Sequence, residues 1–91
     1  MEEIRRDDEF GEDIEYIGRI KMQYASLSKS QKRIANYILN HREAVIHHSI
    51  TTMAQKTGTV PSTVTRFCQA LSYKGFSEMK VYMEKNLASP L

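Results

Sequence analysis

The stretch ITTMAQKTGTVPSTVTRFCQ, residues 50–69, decides the fold. Its apolar residues recur on either side of a break: Ile50, Met53 and Ala54 before Thr57, Gly58 and Thr59, then Val64, Phe67 and Cys68 after them. Steps of three and four put each group on one face of a short helix. Ser49 is of the type whose hydroxyl caps a helix start. Pro61 stands where a first-turn proline is tolerated, because its missing N–H would have no helical acceptor there. Two helices joined by so short a turn cross steeply, so one contact position must be very small, and Ala54 supplies it. The turn needs a residue that accepts left-handed backbone, which Gly58 does. The pattern predicts a helix-turn-helix over about residues 50–69, its second helix ending near Leu71.

The outward face of that second helix carries Ser62, Thr65, Arg66 and Gln69, with no acid among them. Arg66 can donate two hydrogen bonds to guanine O6 and N7, and Gln69 can pair with adenine N6 and N7. Ser62, Thr63 and Thr65 can donate to phosphates, as can the amides at the helix N-terminus. A carboxylate here would repel a phosphate backbone. Spacing and face chemistry also fit a plain structural hairpin. In that case the chain is a helical protein-interaction module that uses an exposed apolar patch.

Working outward, Ile14, Ile17, Ile20, Tyr24 and Leu27 mark one helical face, with Asp13 placed to cap its start. Ser28 and Gln31 form a capping-box pattern ahead of Ile34, Ala35, Ile38 and Leu39. Asn40 and Glu43 repeat the device more loosely before a short helix with Ala44, Val45 and Ile46. After the motif, residues 72–75 read as a turn, and Ser77 as the cap of a last helix with Met79, Tyr82, Met83 and Leu87 apolar. The expectation is an all-α, homeodomain-like bundle of about five or six short helices, held by packing their apolar stripes. One domain over residues 12–88 is expected, between an acidic, disordered segment at residues 1–11 and the start of a linker at residues 89–91.

The net charge of +2 hides an asymmetry. Residues 1–15 hold eight acids and two bases, which leaves −6, whereas the rest holds eleven Lys or Arg against Glu43, Glu78 and Glu84, which leaves +8. A body at +8 suits a polyanionic partner, and equally a plain solvated surface with an acidic tail. Lys74, in the turn after the motif, and Lys80, on the last helix, are further candidates for phosphate contacts; Lys32 and Arg33 rank below them. The apolar runs are too short to cross a bilayer, and no signal-peptide pattern opens the chain. A single cysteine, Cys68, fits a reducing cytoplasm and reads as a buried structural thiol. His41, His47 and His48 lack acids or cysteine at ligand spacing, so no metal or cofactor is expected. Without a phosphate loop or a compelling nucleophile set, the chain is not expected to be an enzyme.

Three segments together resemble the N-terminal domain of the RpiR family of bacterial transcriptional regulators: LSKSQKRIANYIL at 27–39, TVTRFC at 63–68 and YKGFSEMK at 73–80. The resemblance spans roughly residues 14–87. It implies an all-α DNA-binding fold, double-stranded DNA as partner and control of transcription in the cytoplasm. It also implies a homodimeric full-length regulator, responsive to a phosphosugar effector through a C-terminal sugar-isomerase-type (SIS) domain that lies beyond this chain. Three positions depart from the family pattern: Val60 replaces a usual serine cap, Ser72 a common glycine, and Thr59 a usual apolar turn residue.

Overall fold

The computed structural model describes residues 15–88, and these form six α-helices with no strand among them. They are α1 (Glu15–Gln23), α2 (Lys29–Asn40), α3 (Arg42–Val45), α4 (Ile50–Thr57), α5 (Pro61–Ala70) and α6 (Phe76–Ala88), with a 3-10 turn at Tyr24–Ser26 after α1. The readings made on residues 1–14, on residues 89–91 and on the Leu87 side chain lie outside the described residues. No described helix is long and apolar enough to cross a membrane.

Local chemistry explains most of these boundaries. Ser28 Oγ accepts from the Gln31 amide at 3.1 Å while Gln31 Oε1 accepts from the Ser28 amide at 3.0 Å, so the capping box of α2 is complete. Ser49 caps α4 by accepting from the Thr52 amide at 3.1 Å. Pro61 opens α5, as its position before the apolar pattern requires.

Two local expectations give way. Asn40 does not cap α3; its side-chain amide turns back to the Asn36 carbonyl at 2.9 Å, and His41 takes the cap position without a side-chain bond. Ser77 lies inside the first turn of α6, because the helix already starts at Phe76. Glu78 serves that end instead, accepting from the Lys74 amide. The face read along α1 holds for its described residues: Ile20 and Leu27 are buried, Ile17 and Tyr24 pack half-buried against the core, and Tyr16, which the pattern did not include, is buried with them.

One apolar core joins all six helices. Its fully buried members include Tyr16 and Ile20 from α1, Ile34 and Ile38 from α2, Val45 from α3, Met53 from α4, Val64, Phe67 and Cys68 from α5, and Met79 and Met83 from α6. Helix α5 packs against α4, α2 and α6. It is thus clamped along its inner side, and its outer side is left to solvent.

Candidate nucleic-acid interface

Helix α5 is amphipathic in a way that fixes which residues face out. Val64, Phe67 and Cys68 are buried, whereas Ser62, Arg66 and Gln69 are exposed and Thr63 and Thr65 are half-buried. With 3.6 residues per turn, Ser62, Thr65, Arg66 and Gln69 fall within a stripe about 100° wide. Thr63 sits at its flank. Along that stripe the Arg66 guanidinium meets no acceptor among the described residues. Gln69 Nε2 makes only a long bond, 3.4 Å, to the Lys74 carbonyl.

The start of α5 is uncapped. Val60 holds the N-cap position with no side-chain hydrogen bond, and proline follows it, so the first amide of the helix to point outward belongs to Ser62. That amide has no acceptor among the described residues. A hydroxyl, an unpaired N–H and the positive end of the helix dipole therefore coincide at Ser62.

The two lysines singled out from the sequence are placed differently. Lys74 is exposed in the turn after α5, with its backbone amide fixed by Glu78. Lys80 is half-buried; its Nζ donates to the His48 carbonyl at 2.7 Å and stands 4.8 Å from the centre of the Phe76 ring. It lies beside the segment that leads into α4. Lys32 stands over the Tyr24 ring, 5.3 Å from its centre.

Arg33 and Arg19 have positioning roles that the sequence did not disclose. Arg33 Nε donates to the Thr57 carbonyl at 3.1 Å and its Nη2 to the Gly58 carbonyl at 3.3 Å, closing the end of α4. Arg19 Nη1 donates to the Leu71 carbonyl at 2.8 Å, closing the end of α5, while Nη2 pairs with Glu15 at 2.9 Å. The same guanidinium lies 4.6 Å from the centre of the Tyr73 ring. Each helix of the motif is thus held at its C-terminus by an arginine from an earlier helix. Those partners are 24 and 52 residues away in the chain, and no local pattern announces them.

The turn between α4 and α5 is built as its residues require. Gly58 is left-handed at φ 69°, and Thr59 N–H reaches the Ala54 carbonyl at 2.9 Å. Thr57, the buried polar residue of the core, bonds its hydroxyl to the Met53 carbonyl at 2.8 Å and to Thr59 Oγ1 at 2.9 Å. Cys68 takes no part in the outer face. Burial pushes its thiol up to about 12, so it stays protonated, and it packs 3.7 Å from Met79 Sδ. Two of the histidines are also occupied locally: His48 Nε2 lies 3.0 Å from the Tyr37 hydroxyl, and the His41 ring lies tilted against Tyr37 with centroids 4.5 Å apart. No cluster of three metal-ligating side chains forms among the described residues.

Comparison with known proteins agrees with this geometry. A family model described as the helix-turn-helix domain of the rpiR family matches residues 14–90. The HTH-type transcriptional regulator YfhH of Escherichia coli (strain K12) is 37% identical over 71 residues, which is 78% of this chain and 25% of that protein. HexR, an HTH-type transcriptional regulator of the same strain, is 35% identical over 71 residues, again 78% of this chain and 25% of its own length. This chain therefore spans about a quarter of the regulators it matches. The crystal structure of the N-terminal domain of ybbH from Bacillus subtilis, described as a transcriptional regulator, superposes with a TM-score of 0.76 at 27% identity. That match covers 82% of this chain and 92% of that domain.

Proposed function

The chain belongs to the rpiR family of helix-turn-helix domains, and on that premise we propose that it reads duplex DNA through the outer stripe of α5, as the sequence-specific DNA-binding domain of a transcriptional regulator. The observation that carries the reading is the contrast among its arginines. Arg19 and Arg33 are engaged on backbone carbonyls, whereas Arg66 stands exposed at the middle of an acid-free stripe with no acceptor among the described residues.

In this reading α5 lies in the major groove. Arg66 addresses a guanine edge and Gln69 an adenine edge. Ser62 offers its hydroxyl and its unpaired amide to one phosphate, and Thr63 and Thr65 border the same backbone. Lys74 reaches a phosphate from the turn beyond α5. Lys80, beside the segment that leads into α4, serves a phosphate as well. Two copies on a palindromic site, as in a homodimeric full-length regulator, match the half-site logic of such motifs. Response to a phosphosugar, which the family resemblance implies, belongs to the portion of the regulators that this chain does not span. The role places the domain in the cytoplasm with the chromosome.

The test is affinity for duplex DNA at two salt concentrations. Affinity falls steeply as salt rises, because phosphate contacts release counterions. Arg66→Ala costs about 1–3 kcal/mol of specific binding and relaxes preference at one base position, whereas Lys74→Ala weakens all sequences alike and lowers the salt slope by about one. Absence of binding even at low salt would instead favour a helical protein-interaction module.

A further inference from the structure

Val60 is unexplained by the fold. It occupies the N-cap of α5 in extended backbone, φ −123° and ψ 159°, yet it cannot cap, because an isopropyl group has no hydrogen-bond acceptor. Nor does it contribute to the core: it is 55% exposed, whereas the other large exposed hydrophobics, Met22, Val81 and Tyr82, lie on α1 and α6. Pro61 and Ser62 beside it are exposed as well. An apolar side chain thus stands in solvent at the end of the helix that leads into the groove.

We infer that Val60 is a specificity-determining residue that covers the C5-methyl group of a thymine; the inference rests on the DNA-reading role proposed above. Thymine is the one base that presents an apolar group in the major groove, and aliphatic contact is how side chains recognise it. Cytosine offers an amino donor and no methyl in the same place. A branched side chain is stiff at χ1, so little rotamer freedom is lost on contact. A polar residue at this N-cap would fasten the helix and donate to a phosphate, and neither act selects a base.

The substitution Val60→Ser separates the two roles. Serine supplies the missing cap, so the thermal midpoint of the variant rises by about 4–8 °C. Its selection of thymine falls at the same time, whereas a merely structural residue would move stability and recognition together. The probe is a randomised duplex library, incubated at low salt with the 91-residue chain and with the variant, and the bound sequences are read out. The wild-type pool fixes one thymine that becomes thymine or cytosine with Val60→Ser, while the other positions stay as they were. Deoxyuridine at that position removes the methyl alone. It weakens wild-type binding about fourfold, the factor that burial of one methyl-sized group supplies, and leaves the variant unchanged. An identical consensus from both proteins, or wild-type affinity indifferent to the methyl, overturns the assignment and leaves the DNA-reading role standing. Failure of both proteins to enrich any sequence removes both readings.

Discussion

Ser72 adopts φ 74°, and it is the non-glycine residue with left-handed backbone among the described residues. Its position explains why. The Ser72 amide donates to the Gln69 carbonyl at 2.9 Å and the Tyr73 amide to the Cys68 carbonyl at 3.0 Å, the paired bonds of a Schellman ending on α5. Gly58 does the same for α4, with its own amide on Gln55 at 3.3 Å and the Thr59 amide on Ala54 at 2.9 Å. Left-handed backbone costs a residue with a Cβ about 1–2 kcal/mol, and glycine escapes that cost. Ser72→Gly therefore raises stability by about 0.5–1 kcal/mol after the added freedom of the unfolded glycine is counted, read as a higher urea midpoint with unchanged slope. Gly58→Ala lowers it, although a Cβ there would meet nothing within 4 Å, so its penalty is conformational and not steric. At this scale the sequence was informative where backbone geometry dictates residue type. Gly58, Pro61 and the Ser28 and Ser49 caps could all be placed from residue identity, whereas Ser72 was marked only by the glycine that the family pattern has there. Tyr16, Tyr73 and Phe76 could not be read as core, because an aromatic residue near a helix end is buried or exposed according to tertiary neighbours such as Arg19.

At the scale of elements, α4 and α5 have the same design at their C-termini: a Schellman ending, and an arginine on the last helical carbonyls. Neither helix brings more than Lys56 as a base in its own last turn, so the borrowed guanidinium supplies the charge that favours a negative dipole end. Arg33 also joins α2 to the turn between α4 and α5, so it holds the turn in register with the helix behind it. Arg33→Ala should cost about 1–2 kcal/mol, the scale of a hydrogen bond to a charged group at a partly exposed site. The loss should appear first as faster amide exchange at Gly58 and Thr59, and Arg33→Lys, which can keep one donor on the Thr57 carbonyl, should recover part of it. Equal exchange in wild type and Arg33→Ala would show that the turn is held by its own backbone bonds alone. These contacts join residues remote in sequence, and for that reason the reading of residues 50–69 captured the motif but not what braces it.

At the scale of the whole molecule, His48 ties together parts that the motif alone would leave separate. Its ring meets the Tyr37 hydroxyl of α2, its carbonyl accepts from Lys80 of α6, and it lies between α3 and α4. Desolvation is the main cause that lowers its pKa below the ordinary 6.5, and the positive charges of Lys56 and Lys80, with His47 and His41, lower it further. With Nε2 deprotonated, Tyr37 can donate to it; a proton there turns the acceptor into a second donor. Between the depressed value and 6.5 the unfolded chain binds more protons than the folded one, so stability increases with pH across that window. The contribution is fully present above about 6.5 and is lost as pH falls through the folded value. Urea unfolding of the wild type between about pH 7 and 5.5, above the main carboxylate range, should therefore show a declining midpoint. In His48→Gln, which retains an acceptor for Tyr37 and does not titrate, the decline should flatten. An unchanged slope in the variant would show that the bracing of α2, α4 and α6 is independent of His48 protonation.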